Sequence, residues 1–276
     1  MCTLILAWQA FENTPIAVAA NRDEADERLT SSPAIRDGSG PSSPETAGET
    51  VDPELRYVAP RDERAGGTWI GYNEAGLFVG ITNRWKPLLD GERSRGLLVR
   101  DALGHRSAEA AARFVERAVE GGDYDPFHLV VADADAAILL AWDGHLQVRN
   151  LRPGVHVVVN VGWDGNYFVP KHRPDAGVQQ AEDTDRVRQT LRPEPGESAP
   201  EWTDRAAAVL GDHGYGRCIH GDGFGTQSSS LLRLGPEGAV YEYADGKPCE
   251  TDYEPMAGFE GGLAGAAADS SGPQDG

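Results

Sequence analysis

Apolar residues fall in short blocks separated by turn residues, and the blocks predict the elements. CTLILAW (2–8) and IAVAAN (16–21) flank a polar FENTP segment and predict an opening β-hairpin. GGTWIGYN and GLFVGITN, with turn residues Asn73 to Gly76 between them, predict a second hairpin. Residues 31–67, rich in Pro, Gly, Ser and acid, predict a long surface loop between the hairpins. SRGLLVRDAL (94–103) and SAEAAARFVERAVEGG (107–122) repeat apolar residues at helical spacing, with Ser107 as an N-cap and Gly121 as a stop. FHLVVAD, AAILLAW, HLQVRN and GVHVVVN recur about every ten residues and predict an antiparallel meander, a second sheet. EDTDRVRQTL and APEWTDRAAAVLGDH predict two more helices, and TQSSSLLRL with AVYEYADG a closing hairpin. Residues 261–276 read as a disordered Gly/Ala/Ser tail.

This order lacks the strict alternation of a doubly wound parallel sheet. Two antiparallel sheets packed face to face, with helices on the outer faces, fit it better: an α+β four-layer αββα sandwich, one domain over residues 1–260. No apolar run approaches the roughly 20 residues of a membrane span, and MCTLILAW lacks the basic start of a secretory signal. The expectation is a cytoplasmic protein without a membrane span.

Charge narrows the list of partners. The chain carries 44 acidic against 25 basic residues, a formal net charge of −19, and its only lysines are Lys86, Lys171 and Lys247. The acid is spread along the chain, as in halophilic proteins, for which molar salt shortens the Debye length to about 3 Å and screens self-repulsion. Nucleic-acid binding, which needs basic surface, is not expected.

Cys2, Cys218 and Cys249 are odd in number and widely spaced, so neither a disulfide framework nor a CxxC zinc site is indicated. HGYGRCIHGDGFG brings His213, Cys218 and His220 close in sequence, a candidate metal or haem ligand set, yet the spacing matches no standard zinc pattern. No metal or cofactor is expected. GDGFG precedes a strand-like run rather than a helix, against a phosphate loop. Cys2 stands out by position alone. Removal of Met1 would make it the N-terminus, with a thiol nucleophile and an α-amine base (pKa about 7.7–8.0) in one residue. Taken alone, it fits better a small buried apolar residue that opens a strand.

A family resemblance bears on that choice. MCTLILAW, NRDE (21–24), GGTWIG (66–71), NEAGLFVGITN (73–83), SRGLLV (94–99) and GTQSSSLL (225–232) together resemble the NRDE family, also called the transport and Golgi organisation 2 family, from the first residues to about Tyr243. The resemblance implies an N-terminal-nucleophile (Ntn) hydrolase fold, with motifs similar to those of choloylglycine hydrolases and penicillin acylases. By position it implies Cys2 as nucleophile, Asp23 at the nucleophile's amine, Asn83 as an oxyanion donor and Asn160 as a second active-site asparagine. Either asparagine also fits a strand-end turn. Arg22, Trp69 and Gln227 are the candidate substrate-binding residues, although tryptophans beside apolar runs commonly pack in cores.

The amidases carry one arginine near their last active-site strand and another just ahead of the aspartate, where this chain has Gln227 and Ala20. Bile-acid amides and penicillins are therefore not implied as substrates. Two functions follow from the resemblance. One is a cysteine hydrolase of linear amide bonds in a small molecule, and the other a non-catalytic protein that binds or traffics a small ligand such as haem or an acyl lipid.

Overall fold

The computed structural model describes residues 2–37, 52, 54–121 and 124–259. In chain order the first half comprises β1 (Thr3–Phe11), β2 (Thr14–Ala25), β3 (Thr30–Arg36), β4 (Tyr57–Asp62), β5 (Ile70–Asn73), β6 (Phe78–Asn83), α1 (Arg95–Ala102) and α2 (Ala108–Glu120). Next come β7 (Phe127–Ala132), β8 (Ala137–Trp142), β9 (Leu146–Asn150), β10 (Gly154–Val159), β11 (Gly162–Trp163) and β12 (Asn166–Tyr167). Helices α3 (Pro174–Thr190) and α4 (Ala199–Gly211) precede β13 (Phe224–Gly235), β14 (Gly238–Ala244) and β15 (Glu254–Pro255). One sheet has the order β12-β11-β10-β1-β2-β13-β14-β15 and the other β3-β4-β5-β6-β7-β8-β9, all pairs antiparallel.

Side-chain alternation builds the layers. On β1 and β2, Leu4, Leu6, Trp8, Ile16 and Val18 face the other sheet and meet Val58, Ile70, Phe78 and Leu139. The intervening Ile5, Ala7, Ala17 and Ala19 face α3 and α4, against Val187, Trp202 and Leu210. The outer face of the second sheet packs Ala59, Val79, Leu129 and Val131 against Leu98, Leu103 and Phe114 of the α1 and α2 region. Strands buried on both faces read as continuous apolar runs, which is why LILAW and IAVAA show no polar alternation. The result is the expected αββα sandwich.

Three expectations change. The 31–67 loop is shorter, because Thr30–Arg36 and Tyr57–Asp62 form β3 and β4 and pair with each other; its middle and the 261–276 tail lie outside the described residues. The burial of Tyr57, Val58 and Ala59 supplies the apolar contact that the loop composition concealed. The four-stranded meander is split. β7, β8 and β9 extend the sheet of β3 to β6, whereas β10 crosses over and pairs with β1. The exposed face of β9 marks that sheet's edge, and Val155, Val157 and Val159 of β10 pack under α3 and α4 instead. Helix α3 also begins earlier than its apolar pattern suggests, at Pro174 in the first turn.

The GGTWIG and SRGLLV motifs have one physical meaning between them. Thr68 N–H donates to Gly96 O at 3.0 Å, and a Cβ on Gly67 would lie 2.2 Å from the Gly96 carbonyl carbon. Only glycine permits that backbone approach, which docks the start of α1 beside β5.

Candidate functional site

Strand β1 lies between β10 and β2, with Thr3 opposite Val159 on one side and Asn21 on the other. Cys2, just ahead of β1, is thereby set between Asn160 after β10 and the Arg22-Asp23 segment of β2. The Cys2 backbone nitrogen donates to Asn160 Oδ1 at 3.2 Å. Asn160 is buried, and its amide is used on both sides. Nδ2 donates to the Asn83 carbonyl at 2.6 Å, and Oδ1 also accepts from Gln180 Nε2 of α3 at 3.2 Å. One asparagine therefore ties the end of β1 to the end of β6 in the opposite sheet and to a helix. The Asn83 side chain is exposed and opens onto the cavity.

Asp23 is 4% exposed, and its Oδ1 accepts from Thr226 Oγ1 of β13 at 2.6 Å. Burial pushes its carboxyl above the usual range, against the lowering effects of the Thr226 hydroxyl and the Arg217 cation. Arg217 is buried, donates to Tyr215 O at 2.8 Å and Thr3 Oγ1 at 3.3 Å, and is pushed down to about 10 by burial. Cys2 Sγ lies 3.7 Å from Asp23 O. Burial raises the thiol pKa and the Asp23 charge adds to it, while the Arg22 charge opposes.

Arg22 is buried with its guanidinium 4.5 Å from the centroid of the Trp69 ring and 3.8 Å from Glu24. Two cavities, about 880 Å³ and 580 Å³, share Cys2, Glu24, Asn83 and Arg95 in their walls. The smaller one includes Arg22 and Trp69. The larger joins apolar Trp85, Phe168 and Phe224 to a cationic rim that contains Lys86 and Lys171, two of the three lysines in the chain. Basic side chains outnumber Asp23 and Glu24 in that lining.

The structure thus brings together Cys2, Asp23, Asn83, Asn160, Arg22 and Trp69. Gln227 lines neither cavity. A bulge between Thr226 and Ser228 carries it past the site, and its amide donates to Asp26 Oδ1 at 2.7 Å. Sequence reasoning missed Thr226, Arg95, Gln180 and Arg217. The first two lie inside the GTQSSSLL and SRGLLV motifs, and the other two carry no local signal.

The layers and the cysteine ahead of the central first strand define a protein of the Ntn-hydrolase fold. Two solved structures of a conjugated bile acid hydrolase from Clostridium perfringens are similar to it, each with a TM-score of 0.51. A C2A mutant is 11% identical, with 94% of this chain and 98% of that chain covered, and another variant is 13% identical, with 93% and 92% covered. Identity that low shows the fold alone. The chain belongs to the Transport and Golgi organisation 2 family, whose profile matches residues 1–173. The matched span stops short of GTQSSSLL and so does not reach Tyr243. No curated protein matches the chain. No described helix is long and apolar enough to cross a membrane.

Proposed function

We propose that the protein is a cysteine-dependent amidohydrolase of small molecules, with Cys2 as nucleophile once Met1 has been removed. The observation that carries this reading is the position of Cys2, where two cavities meet, with its nitrogen held by Asn160. In the full chain that nitrogen is a peptide N–H, and loss of Met1 turns it into an α-amine. The amine then takes the thiol proton, and the Sγ–C bond forms at the amide carbonyl. Asn83 Nδ2 supplies an N–H to the oxyanion, an interaction worth about 2.7–4 kcal/mol in such sites. Asp23 offsets the charge of the ammonium. The C–N bond breaks as that proton passes to the leaving amine, and water attacks the thioester to release the acid and restore the thiol.

The larger cavity favours an amide with an apolar body and an anionic group. Trp85, Phe168 and Phe224 offer apolar contact, and Lys86, Arg173 and Arg95 offer cations. Arg173 lies 4.6 Å from the centroid of the Trp85 ring, and Lys86 Nζ lies 4.4 Å from that of Phe168, so charge and apolar surface adjoin.

The test is the intact mass of the purified protein before and after an acylating thiol probe, alongside Cys2→Ser. Loss of the Met1 mass and one adduct that Cys2→Ser abolishes are expected. Retained Met1, or equal labelling of the Ser variant, overturns the hydrolase reading in favour of a small-ligand binding protein.

A further inference from the structure

A second cluster of reactive side chains lies outside the two cavities. His213, in a 3-10 turn (His213–Tyr215) after α4, and Cys218 with His220, in the segment before β13, converge on Cys249 from the turn after β14. One ligand atom from each of the four lies within 4.8 Å of every other. Cys218 Sγ is 3.4 Å from Cys249 Sγ and 3.6 Å from His220 Nε2, and His220 Nε2 is 3.1 Å from Cys249 Sγ. A tetrahedral zinc ion with Zn–S near 2.3 Å and Zn–N near 2.0–2.1 Å sets its ligand atoms roughly 3.3–3.8 Å apart. The Cys218–His220 separation falls inside that range and the Cys218–Cys249 one at its lower end, the His220–Cys249 contact is shorter than it, and His213 lies within 4.8 Å of the other three.

The structure assigns to His213, Cys218, His220 and Cys249 a closed Cys2His2 site for a divalent zinc-like ion. Two thiolates and two imidazoles suit zinc, and four protein ligands leave no open position, which is the mark of a structural site. The other nitrogen of His220 lies 3.8 Å from Glu250 Oε1, an ion-pair separation longer than a hydrogen bond. Both cysteines are free, and Cys218 is buried while the other three ligands reach the surface, so an ion has an entry path.

The ion would fix more than a loop. Cys218 and His220 bracket Ile219, whose N–H donates to Thr226 Oγ1 at 2.9 Å and whose carbonyl accepts from Thr226 N at 3.0 Å. That same hydroxyl donates to Asp23. Metal binding therefore rigidifies the support of the buried carboxylate beside Cys2, without any metal contact to the cavities.

The experiment uses the full chain, purified reduced and without chelator. Metal analysis should find about one zinc per chain. Cobalt added to metal-free protein should give the strong visible bands of tetrahedral cobalt with a thiolate charge-transfer band. Cys249→Ser should weaken the thiolate band and lower zinc affinity at least tenfold, with circular dichroism confirming its fold. Cys2→Ser should leave both signals intact. Failure of the reduced wild-type protein to bind zinc or to give the cobalt spectrum overturns the assignment. Because these readouts do not depend on turnover, they stand or fall separately from the amidase reading.

Discussion

Cys2 and Asn160 are 158 residues apart in sequence, yet the nitrogen of one donates to the side-chain oxygen of the other at 3.2 Å. The bond spans neighbouring strands β1 and β10, and its acceptor is shared with Gln180. Asn160→Ala would leave both donors without that acceptor and free the Asn83 carbonyl. Each unsatisfied buried group costs about 1–3 kcal/mol. The variant should lose stability of that order in urea unfolding and label more slowly at Cys2. Unchanged stability would mean that water replaces the asparagine without cost.

Asn83 presents an exposed side chain at the end of β6 and so should be separable from folding. Asn83→Ala is expected to lower kcat by about 10²–10³, the effect of losing one oxyanion donor. Alkylation of Cys2 forms no oxyanion and should keep its rate. Equal losses in both assays would place Asn83 in a positioning role.

The elevated carboxyl pKa of Asp23 has a defined sign for stability. Between the unfolded value near 3.9 and the raised folded value, the native state binds more protons, so stability falls as pH rises through that window. Asp23→Asn should remove this component, leaving a variant more stable than the parent at neutral pH and slower in turnover. Parallel pH-stability curves for the two proteins would contradict the buried ionised aspartate.

His128 of β7 is fully buried, its ring centroid 5.5 Å from that of Trp163, and burial pushes its pKa down to about 3. Its stabilising contribution is complete above the unfolded pKa near 6.5 and is lost as pH falls toward 3, because the unfolded chain takes the proton and the native state does not. The slope is about 1.4 kcal/mol per pH unit. His128→Phe should flatten the acid limb of a thermal-stability profile between those pH values. A parent curve that is flat from pH 6.5 to 4 would show that His128 is protonated in the fold.

The sequence by itself determined the layers and singled out four residues that the fold places around Cys2. Runs such as LILAW and IAVAA are short, turn-bounded and apolar at every position, a pattern that suits strands covered on both faces. Helices α2 and α4 were legible because apolar spacing, and for α2 the Ser107 cap, are local. Cys2, Asp23, Asn83 and Asn160 could be named because each sits inside or closes a recognisable strand motif.

Sheet membership was left to tertiary structure. β9 and β10 follow the same ten-residue rhythm, yet one edges the second sheet and the other pairs with β1, since local alternation does not encode which partner supplies the missing hydrogen bonds. Thr226, Gln180 and Arg217 acquire their roles from contacts with residues between 20 and 214 positions away. Cys249 turns three suggestive ligands into four only because the β14 turn folds back over the segment ahead of β13. Propensity and capping act within a few residues and can be read along the chain. Convergence of side chains depends on sheet order and layer packing, which the folded chain alone decides.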